Sequence, residues 1–350
     1  MHFTKEKIIS LENENIFLTT LTNLNNYSVS FYNYGGYIHS IHIPYQSDKS
    51  KREDVLLGYD KFDNLIKDAS YLNSIVGRVS GRVSEAKFKL NNKIHRLCIN
   101  NPPHHLHGGR NGFNKKIWRI KNINQDDNSI SCKLFYHSPH LEENYPGNLE
   151  CETTYILNEN NEFIIKFDAK VDQDTLVNIT NHNYWNFHGH NDRYQNIKNH
   201  KVQIMSNKYC EVNQYLIPTG NMLKTENSKY DFQKFTIIND FILDDRGIDT
   251  CYAIKGYNGI LKPVATAFSE ETKMGVRILS DQPGLIFYTG NMMEQLYEGK
   301  YQRKYGKQFA FCLEPQLFPD AINHLHFLSP ILRKNENYTS TIVMQFDNNF

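Results

Sequence analysis

Apolar and polar residues alternate along much of the chain, and this alternation predicts β-strands. In residues 148–157 the apolar side chains fall on the odd-numbered positions, while glutamates occupy the opposite face. Residues 162–171 repeat the pattern after an Asn-rich turn. A period of two with one polar face is typical of an antiparallel hairpin that packs on a core from one side.

Further segments support the same fold class. Asn91 and Asn92 separate two short alternating runs, 87–90 and 93–96, and asparagine tolerates the positive φ that a tight hairpin turn needs. Other strand-like runs are 27–32, 37–44, 201–205, 274–279, 284–289 and 339–346. Helical periodicity is confined to short segments around 61–67 and 70–76.

Strands and long helices do not alternate, which argues against a parallel α/β sheet. We find no long linker and no repeat of 20–50 residues. The sequence therefore predicts one all-β domain over residues 1–350, a large antiparallel sandwich or barrel with few short helices.

Composition and charge limit the classes of binding partner and the cellular compartment that we expect for the protein. The 39 Lys and Arg nearly balance the 38 Asp and Glu, which argues against nucleic acid or an anionic membrane as the main partner. None of the six cysteines forms a CxxC pair, so we expect buried free thiols in a reducing compartment. The first residues resemble no signal peptide, and no run approaches the roughly 18 apolar residues of a membrane span. We expect a cytoplasmic protein.

Common cofactor motifs are missing from the sequence. There is no Walker A loop, no GxGxxG, no HExxH and no Cys/His spacing typical of zinc. Neither a metal nor a nucleotide cofactor is indicated.

Two polar segments beside strands are candidates for chemistry. Residues 104–109, HHLHGG, combine three imidazoles with a glycine pair, which favours a loop whose backbone approaches a ligand, or else a surface turn with incidental histidines. Residues 178–187, NITNHNYWNF, carry four amides, an imidazole and three aromatic rings. They are suited to line a sugar pocket, or alternatively to form a hydrogen-bonded loop over the core.

A third segment supplies a candidate base. Glu314 follows the apolar run 309–313, and Pro315 indicates that the strand ends there. A carboxylate at that point is partly desolvated, which raises its pKa toward neutrality. The simpler interpretation is a glutamate at a strand end that faces solvent.

Together, eight segments in order resemble the motifs of the aldose 1-epimerase (galactose mutarotase) family, over nearly the whole chain. Residues 77–83 resemble the family pattern GRxxNRI, residues 101 and 106–109 resemble N…LHGG, residues 142–147 resemble EEGYPG, and residues 177–186 resemble VNLTNHxYFN. Further along, residues 216–220 resemble LIPTG, residues 247–249 resemble GYDH, residues 283–291 resemble PGxQFYTGN, and residues 314–324 resemble ExQxxPDxxNH.

The resemblance implies an antiparallel β-sandwich with an open sugar cleft. It assigns Glu314 as the general base and His182 as the general acid, and it places Arg82, His107 and Asp249 on the hydroxyls and ring oxygen of a monosaccharide. It implies no metal and no cofactor, and a monomer or homodimer. The activity implied is interconversion of the α and β anomers of a free hexose such as galactose or glucose.

This chemistry suits a carboxylate and an imidazole with pKa values near neutrality. Anomer exchange takes a proton from the C1 hydroxyl and delivers one to the ring oxygen, and each such transfer is worth about 10²–10⁴-fold in rate. Charged or bidentate hydrogen bonds from Arg82 and Asp249 fix the sugar.

The sequence departs from the family pattern at Gly81, Asn144, Thr250 and Ile286, where Asn, Gly, His and a polar residue are common. Gly81 removes one potential contact with a sugar hydroxyl. We expect these differences to affect the choice of sugar more than the acid/base pair.

Three alternatives stay open at this point. A hexose-6-phosphate 1-epimerase needs further cations near the cleft, and a glycosidase that uses Glu314 with Asp249 needs two carboxylates flanking the bond. A non-catalytic sugar-binding module on the same fold is the third. His104, His105, His188 and His190 have no assigned role, and we expect them at the surface or behind the site.

Overall fold

A computed structural model describes residues 1–190, 196–244, 246–293 and 297–346. Within these ranges the chain forms 27 strands, one short α-helix and five 3₁₀ turns. The first strands are β1 (His2–Leu11), β2 (Glu14–Thr22), β3 (Ser28–Tyr32), β4 (Ile38–Pro44), β5 (Arg52–Asp54), β6 (Ile75–Val76), β7 (Arg82–Val83), β8 (Lys87–Leu90) and β9 (Lys93–Arg96). The next are β10 (His105–Leu106), β11 (Arg119–Gln125), β12 (Ser129–Ser138), β13 (Leu149–Asn158), β14 (Glu162–Val171), β15 (Thr175–Leu176), β16 (Thr180–Asn181), β17 (His200–Ile204) and β18 (Lys208–Val212). The last are β19 (Pro218–Lys224), β20 (Thr236–Ile237), β21 (Asp249–Ala253), β22 (Lys262–Ser269), β23 (Gly275–Ser280), β24 (Gly284–Tyr288), β25 (Cys312–Gln316), β26 (Ile331–Leu332) and β27 (Asn337–Phe346). The helix is α1 (Phe62–Ile66), and the 3₁₀ turns are Ser84–Ala86, Phe113–Lys115, Glu142–Asn144, Lys300–Gln302 and Ala321–Asn323.

Three large antiparallel sheets dominate. The first has the order β1-β2-β3-β4-β5, the second β11-β12-β13-β14-β27-β23-β22-β17-β20, and the third β19-β18-β21-β24-β25. Four further two-stranded pairs occur among the described residues: β7 with β10, β6 with β16, β15 with β26 and β8 with β9. The predicted all-β class is therefore confirmed.

The hairpins follow the predicted alternation. In β13 every odd-numbered residue from Leu149 to Leu157 is buried, and β13 pairs with β14 in the expected register. The β8–β9 hairpin turns through Asn91 and Asn92, with φ values of 49° and 61°. These positive φ values explain why asparagine suits the turn.

One apolar cluster joins the three large sheets. It contains Phe31 of β3, Tyr155 of β13, Phe287 of β24 and Ile342 of β27, with the fully buried Trp185 between them. The faces of the sheets thus share a core, as in a β-sandwich.

Residues 70–76 do not form the predicted helix, although α1 confirms the helix predicted near residue 61. The buried carboxylate of Asp68 accepts hydrogen bonds from the backbone N–H groups of Ser70 and Leu72, at 3.1 Å each, and so folds the segment into a turn. Tyr71 and Asn73 adopt positive φ, which ends any helical path, and β6 follows.

All six cysteines are free, and five of them are buried, as their apolar neighbours predict. Among the residues described, no helix has the length and apolar character required to cross a membrane.

Candidate active site

A cleft of about 240 Å³ opens above the third sheet. Strands β21, β24 and β25 form its floor, and the loops that carry β7 and β10 form one wall. All five residues predicted for the site border this cleft: Arg82, His107, His182, Asp249 and Glu314. The fold thus brings together side chains from five separate sequence segments.

Glu314 lies in the middle of β25, paired with Ile286 of β24, and is 2% exposed. Burial raises the pKa of this carboxyl well above its usual value, and repulsion from Asp249 adds to the rise. The predicted direction is confirmed, but the predicted strand end at Pro315 is wrong. Strand β25 is at the edge of its sheet, where a proline without an N–H is tolerated, and the strand continues to Gln316.

His182 directly follows β16 and lies beside Glu314. The distance from its Nε2 to Glu314 Oε1 is 3.5 Å, and its ring stacks on Tyr184 at 5.0 Å. Burial lowers the pKa of His182 to about 4. The imidazole is therefore neutral at pH 7 in the free protein, whereas the sequence argument placed its pKa near neutrality.

His107 is held in one tautomer. Its Nδ1 accepts a hydrogen bond from the backbone N–H of Gly81 at 3.2 Å, so the neutral ring carries its proton on Nε2. Burial lowers the pKa of His107 well below its usual value, and the proximity of His182 lowers it further. His107 is thus a neutral hydrogen-bond donor at the cleft.

The glycines that follow His107 do not border the cleft, contrary to the expected approach to a ligand. A Cβ on Gly108 would lie 1.7 Å from the carbonyl oxygen of Gly77, and Gly108 has a φ of 85°. Glycine is required here because two backbone segments pass close together.

Asp249 and Arg82 complete the polar side of the cleft. Asp249 begins β21 and pairs with Tyr288 of β24. Burial raises the pKa of Asp249, and the charge of Arg82 opposes that rise. The Nε of Arg82 donates a hydrogen bond to Asn101 Oδ1 at 3.3 Å, which orients the guanidinium.

The side chains of residues 178–187 form two groups: some hold a loop over the core, and others line the cleft. The amides of Asn178, Asn181 and Asn186 donate to backbone carbonyl groups, as a loop over the core requires. His182 and Tyr184 reach the cleft. The pocket thus takes its imidazole and phenol from this segment and leaves the amides to the scaffold.

The unassigned histidines are not at the surface. His104, His105 and His188 are all buried, and the side chain of His190 is 5% exposed. His105 lies between the carbonyl oxygen of Cys98 and the hydroxyl of Tyr145, at 2.7 Å from each, so it holds loops together. Burial of this kind cannot be read from a histidine in a polar sequence.

Sequence reasoning missed Tyr71, Tyr288 and Met292 at the cleft. The ring of Tyr71 lies 4.7 Å from that of His107. Its segment carried a helical pattern, so no sequence signal marked it as part of a site.

One group of possible metal ligands occurs among the described residues. His182, Cys312 and Glu314 are all buried, and their donor atoms lie within 4.8 Å of one another.

Several known proteins are similar to this chain in sequence and in fold. The family model described as Aldose 1-epimerase matches residues 18–345. Galactose mutarotase from Bos taurus is 32% identical over 300 residues, 85% of each chain, and aldose 1-epimerase from Escherichia coli K12 is 29% identical over 337 residues, 94% of each. Among solved structures, galactose 1-epimerase from Lactobacillus acidophilus gives a TM-score of 0.86 at 24% identity and covers 99% of this chain and 98% of its own. An aldose epimerase homologue from C. elegans gives 0.84 at 25%, with coverages of 94% and 98%.

Proposed function

The chain belongs to the aldose 1-epimerase family, and we propose that Glu314 and His182 transfer the protons in its reaction. The protein is an isomerase that interconverts the α and β anomers of aldose sugars. The observation that carries the proposal is the buried pair at the cleft, in which His182 Nε2 lies 3.5 Å from Glu314 Oε1. A carboxylate and an imidazole at this separation can serve the C1 hydroxyl and the ring oxygen of one sugar.

The reaction proceeds through the open-chain aldehyde. Glu314 takes the proton of the C1 hydroxyl while protonated His182 delivers a proton to the ring oxygen, and the bond between C1 and the ring oxygen breaks. The aldehyde then turns about C1–C2. The former ring oxygen, now a hydroxyl, attacks the other face of C1 and gives its proton back to His182. Glu314 returns its own proton to the aldehyde oxygen, which becomes the new C1 hydroxyl.

The two pKa shifts decide how the pair holds its proton. Burial opposes a charge on either group, so it raises the pKa of Glu314 and lowers that of His182. In the free protein the single proton of the pair therefore favours the carboxyl. The reactive form has the same number of protons, with the proton on His182 instead.

Three further side chains are proposed to fix the sugar. His107 Nε2–H and the Arg82 guanidinium are donors, and Asp249 is an acceptor for hydroxyl groups. Cys210, Val212 and Ile286 supply an apolar wall for the C–H face of the ring.

The proposed substrates are free D-galactose and D-glucose. In the part of the chain that the structure describes, Arg82 is the only lysine or arginine bordering the cleft. A phosphate group normally needs more cationic or backbone donors than that, which favours a free sugar over a hexose 6-phosphate. The relatives named galactose mutarotase support galactose.

Optical rotation of freshly dissolved α-D-galactose, α-D-glucose and their 6-phosphates tests this proposal. The wild type should accelerate the change for the free sugars, and Glu314→Gln should lose the acceleration. Glu150→Gln, on the polar face of β13, is the matched control and should keep it. Acceleration confined to the 6-phosphates, or binding of free sugar without acceleration, would contradict the proposal.

A further inference from the structure

The thiol of Cys312 lies at the catalytic pair and has no part in the proposed reaction. Cys312 precedes Glu314 by two residues on β25, so both side chains point to the same face of the strand. Its Sγ lies within 4.8 Å of the donor atoms of both His182 and Glu314. All three side chains are almost fully buried.

The surroundings of these donors favour a cation. Glu314 Oε2 is buried and has no hydrogen-bond partner among the described residues. A bound divalent cation supplies the partner that this buried oxygen lacks.

We propose that His182 Nε2, Cys312 Sγ and a carboxylate oxygen of Glu314 form a binding site for a divalent transition-metal ion, Zn²⁺ above all. An imidazole, a thiolate and a carboxylate are the three protein ligands that Zn²⁺ uses, and a fourth position stays open in such a set. Mg²⁺ and Ca²⁺ prefer oxygen ligands and are excluded by the sulfur and nitrogen donors.

The present separations are close to those of a tetrahedral site. Bonds of about 2.0–2.3 Å to zinc place two ligand atoms about 3.4–3.6 Å apart. The His182–Glu314 pair already has 3.5 Å, so a movement of roughly 1 Å by the thiol side chain completes the set.

Proton and charge balance are simple. The S–H bond of Cys312 and the O–H bond of the Glu314 carboxyl break, bonds from sulfur and oxygen to Zn²⁺ form, and both protons leave to water. With an ionised Glu314 and a neutral His182, the complex of Zn²⁺ with one thiolate and one carboxylate carries no net charge, which suits a buried site.

An ion at this position ties up both groups that move protons. Zn²⁺ should therefore inhibit anomer exchange in competition with the sugar. This consequence depends on the roles proposed above for Glu314 and His182, whereas metal binding itself does not.

Binding is tested with Co²⁺, whose bond to a thiolate gives a near-ultraviolet charge-transfer band that Zn²⁺ should abolish by displacement. The band should appear in the wild type and in Cys98→Ser, the control that removes the partly exposed thiol. It should disappear in Cys312→Ser and Cys312→Ala. A band that survives in both Cys312 variants, or no band in the wild type, would overturn the site.

X-ray absorption of the Zn²⁺-loaded wild type needs no variant and guards against misfolding of the substituted chains. One sulfur and two or more nitrogen or oxygen ligands are expected. Two or three sulfur ligands would instead point to Cys210, Cys251 and Met222, which pack together on neighbouring strands, and would refute the proposal.

Inhibition supplies the functional result. Zn²⁺ should raise KM for the sugar in the wild type, EDTA should reverse the effect, and the inhibition constant should rise by about 100-fold or more in Cys312→Ser, since even indirect supporting residues are worth 10–100-fold in metal affinity. Binding without inhibition would contradict the roles given to Glu314 and His182 but leave the metal site intact.

Discussion

At the scale of single residues, burial moves the pKa values of Glu314 and His182 in opposite directions. The carboxyl and the imidazole are almost fully enclosed, and each pKa shifts toward the neutral form of its group. Between the lowered pKa of His182 and the raised pKa of Glu314, the pair therefore holds one proton and titrates as a unit.

This unit predicts the pH dependence of kcat/KM, which reports groups of the free enzyme. Below a pH of about 4, His182 also binds a proton, so the pair carries two protons and activity falls. At high pH the pair loses its last proton and activity falls again. Rates measured by optical rotation should show a plateau across neutral pH with no step near the ordinary histidine pKa. A limb near that value in the folded protein would contradict the assignment.

The sequence marks five residues that the structure places at the cleft, but it does not reveal their environment. The motifs marked all five side chains because each keeps its residue type beside a recognisable neighbour. The low pKa of His182 comes from its burial, with the rings of Tyr184 and His107 packed beside it. Only folding brings these features together.

At the scale of elements, the segment 77–83 carries two arginines with different roles. Arg78 is 2% exposed, and its guanidinium donates to Ser138 Oγ and to the carbonyl groups of residues 138, 139, 146 and 147. Arg82, four residues later, borders the cleft.

We therefore expect opposite effects from two matched substitutions. Arg78→Lys leaves several buried carbonyl groups without a donor, so the free energy of unfolding should fall by about 3 kcal/mol with little change in KM. Arg82→Lys should raise KM and change stability by less than about 0.5 kcal/mol. Urea unfolding and sugar titration of the rate measure both. A stable Arg78→Lys protein with a raised KM would reverse the assignment.

Strands and helices were predicted correctly where the sequence pattern was long. The prediction failed where a local contact determined the backbone conformation. The ten-residue alternation of β13 is set by burial of one face. In residues 70–76 the carboxylate of Asp68 outweighs a short helical period, and Pro315 lies within β25 because that strand is at an edge. Neither the partner of Asp68 nor the edge position is visible in one sequence.

At the scale of the whole molecule, β27 pairs with β14 on one side and β23 on the other, near the centre of the nine-stranded sheet. Its inner face enters the core shared by the three large sheets. We propose on these grounds that residues 1–350 fold as one domain.

Truncation at either end tests that proposal. Removal of residues 337–350 should abolish the cooperative thermal transition seen by circular dichroism, because it divides the large sheet. Removal of residues 1–11 takes away β1, an edge strand whose residues are almost all exposed, and should leave a folded, active protein with one transition. Two separate transitions in the intact chain would contradict a single domain.

The most direct test of the central claim compares anomer exchange in Glu314→Gln, His182→Asn and the double variant with that of the wild type. Each single change should lower kcat by about 10²–10⁴-fold, because each removes one proton-transfer group. The double variant should be little slower than the worse single one, because the two groups act as a unit. A single variant that keeps the wild-type rate, or two losses that multiply in the double variant, would contradict the joint action of Glu314 and His182.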